Sequence, residues 1–142
     1  MVFVSPQSSA MKSRSLFQRS DIKIFKSSLC FVSWKDRVHM KKKVAIIGYG
    51  GQGSWHAEHA LKSDVIELGG IYDIKNERAE LAQSRGIHVY ASREELLADS
   101  TVDIVVCATP NDVHEEIVIA ALLAGKNVVC EKPVALSVAA FD

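Results

Sequence analysis

Six glycine-rich residues constrain the fold of this chain more than any other feature. They directly follow an apolar run, residues 44–47, and precede a stretch with helical spacing. This glycine loop consists of Gly48, Tyr49, Gly50, Gly51, Gln52 and Gly53. Glycine removes side chains that would hold a diphosphate away from backbone N–H groups, and the N-terminus of a helix carries a partial positive charge. The loop therefore predicts a dinucleotide pyrophosphate site between the first strand and first helix of a Rossmann domain.

Each glycine of this spacing has its own predicted role. Gly48 permits the tight turn out of the strand, Gly50 lets the backbone approach the pyrophosphate, and Gly53 lets the helix pack closely on the sheet. A glycine-rich turn without a ligand is the competing interpretation. The apolar strand before the loop, the helix after it and an acidic residue twenty positions later favour the dinucleotide site.

That acidic residue is Asp73, at the end of the second predicted strand. A carboxylate there can accept hydrogen bonds from the adenosine ribose hydroxyls, and it repels a 2′-phosphate by up to about 4 kcal/mol at close range. Lys75 and Arg78 lie near enough to soften this repulsion. We therefore expect NAD to be preferred and NADP to remain possible. An alternative and compatible role for Asp73 is the N-cap of a helix over residues 75–85.

From residue 43 onward, short apolar runs alternate with longer amphipathic stretches, which predicts an α/β fold with a doubly wound parallel sheet. Right-handed crossovers give the strand order 3-2-1-4-5 and place a ligand crevice between strands one and four. Ser92 and Glu95 predict a capping box for a helix through Ala98. The predicted strands cover residues 44–47, 65–73, 87–90, 103–108 and 127–130.

Residues 1–40 differ from the remainder in charge and pattern. They hold seven basic and two acidic residues and show no sustained period, whereas residues 41–142 hold ten basic and fifteen acidic residues. We expect a disordered extension that is either an organellar transit peptide or sequence upstream of a true start at Met40, the latter being favoured. A plain disordered tail is a third alternative. Residues 41–142 are predicted to form the single Rossmann domain.

The overall composition argues against several classes of partner. Lysine and arginine total 17 and so do aspartate and glutamate, which gives no reason to expect nucleic acid or a membrane surface. Three cysteines without Cys-x-x-Cys spacing favour a reduced compartment, and no metal site is predicted. No apolar run approaches the roughly 18 residues of a membrane-spanning helix. We expect a cytoplasmic protein, or an organellar one if residues 1–40 are a transit peptide.

Two further segments are more specific than the glycine loop. Residues 108–114 read Ala-Thr-Pro-Asn-Asp-Val-His, and residues 124–133 read Ala-Gly-Lys-Asn-Val-Val-Cys-Glu-Lys-Pro. Together with the glycine loop and Asp73, they resemble the N-terminal half of the Gfo/Idh/MocA oxidoreductases across residues 43–142. Members of that family oxidise or reduce hydroxyl and carbonyl groups of sugars, cyclitols and related small molecules with NAD or NADP.

This resemblance implies further site residues. The lysine of the family's Glu-Lys-Pro motif reaches the nicotinamide and the substrate, so Lys132 is the candidate catalytic residue, and Glu131 is expected to position it at the cofactor. A solvated Glu–Lys pair and an ordinary polar role for the histidine of residues 108–114 are the competing interpretations. His56 is interpreted as a structural residue of the first helix. Four residues after strand four are expected to line the cofactor crevice: Thr109, Pro110, Asn111 and His114.

The sequence ends soon after this motif, little more than one helical turn beyond Ser137. Members of the family carry a second domain that supplies most of the substrate pocket. We therefore expect a fragment or truncated product that binds the dinucleotide and acts on a small polyol or sugar only when that domain is supplied. A free-standing dinucleotide-binding module without catalysis and, more distantly, a methyltransferase are the alternatives.

Overall fold

A computed structural model describes residues 2–4, 41–134 and 136. The described residues form a five-stranded sheet in which β2, β3, β4 and β5 run parallel, whereas β1 pairs antiparallel with β5. Across the sheet the strands follow the order β1-β5-β4-β2-β3. Their bounds are β1 (Val2–Val4), β2 (Lys42–Ile47), β3 (Ile66–Tyr72), β4 (Ile104–Cys107) and β5 (Asn127–Cys130).

Helices connect the parallel strands and cover both faces of the sheet. A short 3₁₀ turn over Asn111–Val113 leads directly into the last helix. The helices are α1 (Gly51–Leu61), α2 (Asn76–Ser84), α3 (Arg93–Ala98) and α4 (His114–Leu123). The predicted α/β class, with a parallel Rossmann sheet, is confirmed. Among the described residues, each helix is too short or too polar to cross a lipid bilayer.

The third predicted strand is reduced to a single bridge. Val89 pairs in parallel with Ile71 of β3, where residues 87–90 were expected to form a full strand. The N–H of Ile71 donates to the carbonyl of His88, and the N–H of Tyr90 donates to the carbonyl of Ile71. The bridge stands where the predicted strand order places the third strand, but the strand itself is shorter than predicted.

Two adjacent glycines in β3 explain its irregular pairing. Val44 lies opposite Leu68 and Ala45 lies opposite Gly70, so Gly69 is an extra residue in a β-bulge. A Cβ on Gly70 would stand 2.8 Å from the carbonyl oxygen of His88, and Gly70 has a φ of 153°. Glycine is required there because the neighbouring segment approaches the backbone of β3 so closely.

The sheet separates two apolar clusters. β2 contributes to both, because Val44 and Ile46 face one cluster while Ala45 and Ile47 face the other, and all four are buried. A continuous apolar run is expected for a parallel strand that is covered by helices on both faces. β2 and β4 lie side by side between the two clusters and run parallel. The loops that follow these two strands therefore emerge at the same edge of the sheet.

The predicted capping box is present at the start of α3. Ser92 Oγ accepts a hydrogen bond from the N–H of Glu95, and the Glu95 carboxylate accepts one from the N–H of Ala91. The Glu95 carboxylate therefore bonds the residue before the N-cap, Ala91, rather than the N-cap residue Ser92 itself. These bonds satisfy backbone donors that a helix start leaves unpaired.

One strand lies within the stretch that was expected to stay outside the fold. Val2 pairs with Cys130 and Val4 with Val128, which adds β1 to the edge of β5. The sequence did not predict this strand. The remainder of residues 1–40, including the proposed start at Met40, and Ser137 lie outside the described residues.

Candidate functional site

A crevice of about 750 Å³ opens at the carboxyl ends of β2 and β4. Its walls are the glycine loop, the end of β3, the loop after β4 and the first turns of α3 and α4. Seven of the predicted site residues line it: Gly48, Gly50, Gly51, Gln52, Asp73, Thr109 and Pro110. The other six stand outside its lining: Tyr49, Gly53, Asn111, His114, Glu131 and Lys132.

The four glycines of the loop divide into two structural classes. A Cβ on Gly48, whose φ is 94°, would stand 2.6 Å from the carbonyl oxygen of Ala108, and a Cβ on Gly53 would overlap the carbonyl oxygen of Gly48. A Cβ on Gly50 or Gly51 would meet no atom of the described residues within 4 Å. Gly48 and Gly53 are therefore required by the packing of the loop on the sheet, whereas Gly50 and Gly51 border open space in the crevice.

The N-terminus of α1 points into this open space. Gly50 is the N-cap, and no side chain in the described part of the chain caps the helix. The first turn of a helix carries N–H groups without intrahelical partners and a partial positive charge. This end of α1 can therefore bind an anion through its backbone.

Asp73 joins the end of β3 to the glycine loop. One carboxylate oxygen accepts a hydrogen bond from the N–H of Tyr49 at 2.6 Å, and the other accepts one from the N–H of Lys75 at 2.8 Å. The carboxylate lies at the wall of the crevice. Each oxygen has a second lone pair, so the carboxylate can also accept bonds from ligand hydroxyls.

Tyr49 takes part in this arrangement through its backbone alone. Its side chain is fully buried in the apolar cluster beneath α1. The Tyr49 ring therefore cannot make the contact with a ligand that was predicted for this residue. The phenol oxygen lies 3.4 Å from the guanidinium of Arg85. The sequence pattern could not distinguish this orientation from an exposed one because loop residues lack a fixed period.

His114 does not line the crevice, which corrects the expectation drawn from the family resemblance. Its ring is fully buried, with Nε2 2.8 Å from the carbonyl oxygen of Thr109 and Nδ1 2.8 Å from that of Pro133. A neutral imidazole can donate only one of these bonds, whereas an imidazolium can donate both. The histidine starts α4 and points inward because two carbonyl groups compensate the burial of its polar ring.

The segment after β5 carries the second set of predicted residues. The N–H of Glu131 donates to the carbonyl of Cys107, which extends the pairing of β5 with β4. Glu131 is partly buried, whereas Lys132 and Pro133 are exposed and joined by a cis peptide bond. Lys132 therefore stands at the same edge of the sheet as the crevice and has a solvent-accessible side chain.

Glu131 is paired with a residue that the sequence analysis placed in a structural role. Nε2 of His56, on α1, lies 2.8 Å from Oε1 of Glu131. The hydrogen bond from His56 lowers the pKa of the Glu131 carboxyl below its ordinary value. The two residues are 75 positions apart, and no local sequence signal could have joined them.

Two further residues at the crevice were missed. Arg93, at the start of α3, contacts Glu116 of α4 at 2.6 Å, and both line the crevice. The hydrogen bond that Arg93 donates to the Glu116 carboxylate raises the pKa of Arg93 above its ordinary value. Arg93 follows the third predicted strand by three residues, and this position could have identified it, since loops after parallel strands meet at this edge.

Beneath the crevice, three groups capable of binding a metal lie close together. The ligand atoms of Cys107, His114 and Cys130 are within 4.8 Å of one another, and all three residues are buried. Burial, followed by the neighbouring Cys107, raises the pKa of the Cys130 thiol to about 12. Both ring nitrogens of His114 already contact carbonyl oxygens. The cluster is therefore two buried cysteines packed beside a hydrogen-bonded ring.

Comparison with known proteins connects this geometry to one group of enzymes. A family model described as an oxidoreductase family with an NAD-binding Rossmann fold, Gfo/Idh/MocA, matches residues 42–142. An uncharacterized oxidoreductase of Streptococcus pneumoniae serotype 4 is 43% identical over 95 residues, which is 67% of this chain and 26% of the relative. Myo-inositol 2-dehydrogenase of Thermotoga maritima is 35% identical over 102 residues, or 70% of this chain and 30% of the relative.

Solved structures agree with these relatives. An NAD-binding protein from Listeria innocua is 48% identical with a TM-score of 0.68, and the match covers 71% of this chain and 30% of that one. GenD2 from gentamicin A biosynthesis, solved in complex with NAD, is 36% identical with a TM-score of 0.67, covering 72% and 30%. In each of these four matches, the aligned region is no more than 30% of the relative's length.

Proposed function

This chain belongs to the Gfo/Idh/MocA oxidoreductase family, and we propose that its crevice binds NAD as the cofactor site of an enzyme acting on CH–OH groups of sugars, cyclitols or similar small molecules. One observation carries the proposal: Gly50 and Gly51 leave open space at the N-terminus of α1, which is capped by no side chain among the described residues. A pyrophosphate fits this cradle because it is an anion that needs close backbone donors. A nicotinamide ring, when bound, supplies hydride chemistry to the site.

The preference for NAD over NADP rests on Asp73. Its carboxylate keeps lone pairs that can accept ribose hydroxyl groups, and its negative charge opposes a 2′-phosphate. Lys75 and Arg78 line the same part of the crevice and offset part of that repulsion. NAD is therefore preferred and NADP is accepted with lower affinity.

Lys132 is the candidate catalytic residue. Its ammonium group orients the substrate oxygen and stabilises the negative charge that develops there during hydride transfer. Three features support the assignment: Lys132 is exposed, it stands at the edge of the sheet that carries the crevice, and its two neighbours in the chain are held by hydrogen bonds. Thr109 and Pro110, in the loop after β4, line the crevice and are the proposed cofactor contacts on that side.

The substrate class follows from the relatives. Those named inositol 2-dehydrogenase and glucose-6-phosphate 3-dehydrogenase support a polyol or a sugar. The chain spans about 30% of the length of such relatives, and we infer that a further domain supplies most of the substrate pocket. Hydride transfer requires the reacting atoms to be held in close contact. The 142-residue chain is therefore expected to bind the cofactor with little turnover by itself.

A free-standing dinucleotide-binding module is the second candidate. It is favoured by β1, because Val2–Val4 covers the otherwise unpaired edge of β5 with a strand of the same chain. An uncovered edge strand is a site where other chains pair, and β1 closes this edge from within the chain itself. This candidate and the first share the same cofactor site.

Titration of the purified chain with NADH and with NADPH, followed by nicotinamide fluorescence, tests the proposed function. We expect saturable binding of both, with NADH bound more tightly. Assays of NAD reduction with myo-inositol and with glucose 6-phosphate separate the two candidates when they are run on the chain alone and on the chain fused to the remaining part of a relative. The cofactor site of an enzyme should gain turnover in the fusion, whereas a free-standing module should give none in either protein. Failure of the folded chain to bind either dinucleotide would refute the cofactor site.

A further inference from the structure

The two residues that flank Lys132 are each bound by a histidine from a different helix. His56 of α1 contacts the Glu131 side chain, and His114 of α4 contacts the Pro133 carbonyl, both at 2.8 Å. Lys132 itself is exposed between these two anchored positions. The exposed lysine therefore extends from a backbone segment that is held at both ends.

The contact to Glu131 is a shielded, charge-assisted bond. The side chains of His56 and Glu131 are only 11% and 20% exposed, so water competes weakly for either group. A carboxylate can only accept, which makes Nε2 of His56 the donor. Because α1 begins within the glycine loop, this bond ties Glu131 to the same helix whose N-terminus faces the crevice.

The contact to Pro133 joins the other wall of the crevice. The ring of His114 lies between the carbonyl oxygens of Thr109 and Pro133, and it is fully buried. Thr109 lines the crevice directly. The ring therefore fixes the distance between the loop after β4 and the segment that carries Lys132.

We propose that His56 and His114 are positioning residues that hold Lys132 at the edge of the sheet beside the crevice, where it meets the nicotinamide half of a bound cofactor. This inference rests on the proposed function, because it assumes that Lys132 meets the nicotinamide half of the cofactor. A lysine side chain loses considerable rotamer entropy when it is fixed at a ligand. If the backbone that carries the lysine is already ordered, less conformational entropy is lost when the ligand binds. The histidines thus act through Lys132, and neither needs to touch the ligand.

Affinities for NADH and for ADP-ribose test this role in the full chain. ADP-ribose contains the pyrophosphate and both riboses but no nicotinamide, so it reports on the glycine loop without Lys132. We expect His56→Leu to weaken NADH binding by about tenfold, as loss of a charge-assisted hydrogen bond predicts, and to change ADP-ribose binding by less than about twofold. Lys132→Met should show the same pattern, and His56→Gln, which keeps a donor, should restore most of the NADH affinity.

His59→Leu is the matched control, because His59 lies on the same helix and bonds the carbonyl of Trp55 rather than Glu131. It should change neither affinity. His114→Gln keeps one of two carbonyl contacts and should weaken NADH selectively by a smaller factor. If His56→Leu lowers both affinities equally, or neither, in a chain that still unfolds cooperatively, the positioning role is overturned. A wild-type chain that binds neither ligand overturns the proposed function, and this inference with it.

Discussion

The carboxylate of Asp73 accepts a hydrogen bond from the backbone N–H of Tyr49 at a distance of 2.6 Å. This bond joins the carboxyl end of β3 to the second residue of the glycine loop. The same carboxylate accepts the N–H of Lys75 at 2.8 Å. Asp73 therefore organises the loop before any ligand arrives, in addition to the ribose contact that we propose for it.

Replacing Asp73 should affect both the loop and the choice of cofactor. Asp73→Ala removes two charge-assisted hydrogen bonds and should lower the free energy of unfolding by about 1–3 kcal/mol. It also removes the negative charge, so the ratio of NADP affinity to NAD affinity should rise. Urea denaturation and paired titrations with the two dinucleotides measure these effects. Asp64→Ala, at an exposed position, is the control, and an unchanged cofactor ratio in Asp73→Ala would contradict the account.

The glycines of the loop should respond in opposite ways to alanine. Gly53→Ala places a Cβ against the carbonyl of Gly48 and should destabilise the fold strongly. Gly50→Ala meets no atom within 4 Å and has an extended backbone, so the fold should persist while NADH binding falls because the methyl group obstructs the pyrophosphate. Thermal unfolding and NADH titration of each variant check both expectations. Similar stability losses in the two variants would show that the loop is packed differently.

Acid should remove stability that depends on Asp99. Its carboxylate accepts bonds from the hydroxyl and N–H of Thr101 and from the hydroxyl of Tyr90, which lowers the pKa of Asp99 to about 2. A carboxyl group with a lowered pKa in the fold contributes stability above its unfolded pKa of about 3.9, and this contribution is lost as the pH falls toward 2.

Asp99→Asn should therefore be less stable than wild type at pH 7, and the difference should shrink between pH 4 and pH 2. Urea denaturation across this range measures the difference. Asp64→Asn provides the control, since it should leave the acid dependence unchanged. A stability difference between Asp99→Asn and wild type that stays constant from pH 7 to pH 2 would contradict the assigned contacts.

The buried cysteines should resist alkylation. Cys107 and Cys130 are both buried, and the raised pKa of Cys130, about 12, leaves about one part in ten thousand as thiolate at pH 8. In a Cys30→Ser background, iodoacetamide should modify neither residue in the native chain and both after unfolding in guanidinium. Mass spectrometry follows the labelling, and rapid native modification of Cys130 would show that the cluster is open to solvent.

The local elements of the fold could be predicted from the sequence because their signals are local. The apolar run through Ile47, the spacing of the glycines and the Ser92–Glu95 capping box each reflect neighbouring residues, and the structure contains the corresponding strand, turn and cap. The strand order followed from the handedness of crossovers. These features depend little on contacts with residues that are distant in the sequence.

The contacts of the site were harder to predict because they depend on long-range packing. His56 meets Glu131 across 75 positions, and no period marks that pair. His114 was expected in the crevice, yet its ring points inward to two backbone carbonyls. The third predicted strand formed only one bridge, between Val89 and Ile71 of β3.

Calorimetric titration of the wild type and of Gly50→Ala with NADH is the most direct test of whether the glycine loop of this chain holds NAD. The wild type should bind NADH saturably and one to one, and an equally folded Gly50→Ala chain should bind it at least roughly tenfold more weakly. Equal affinities in the two folded proteins, or no binding by the wild type, would contradict this expectation.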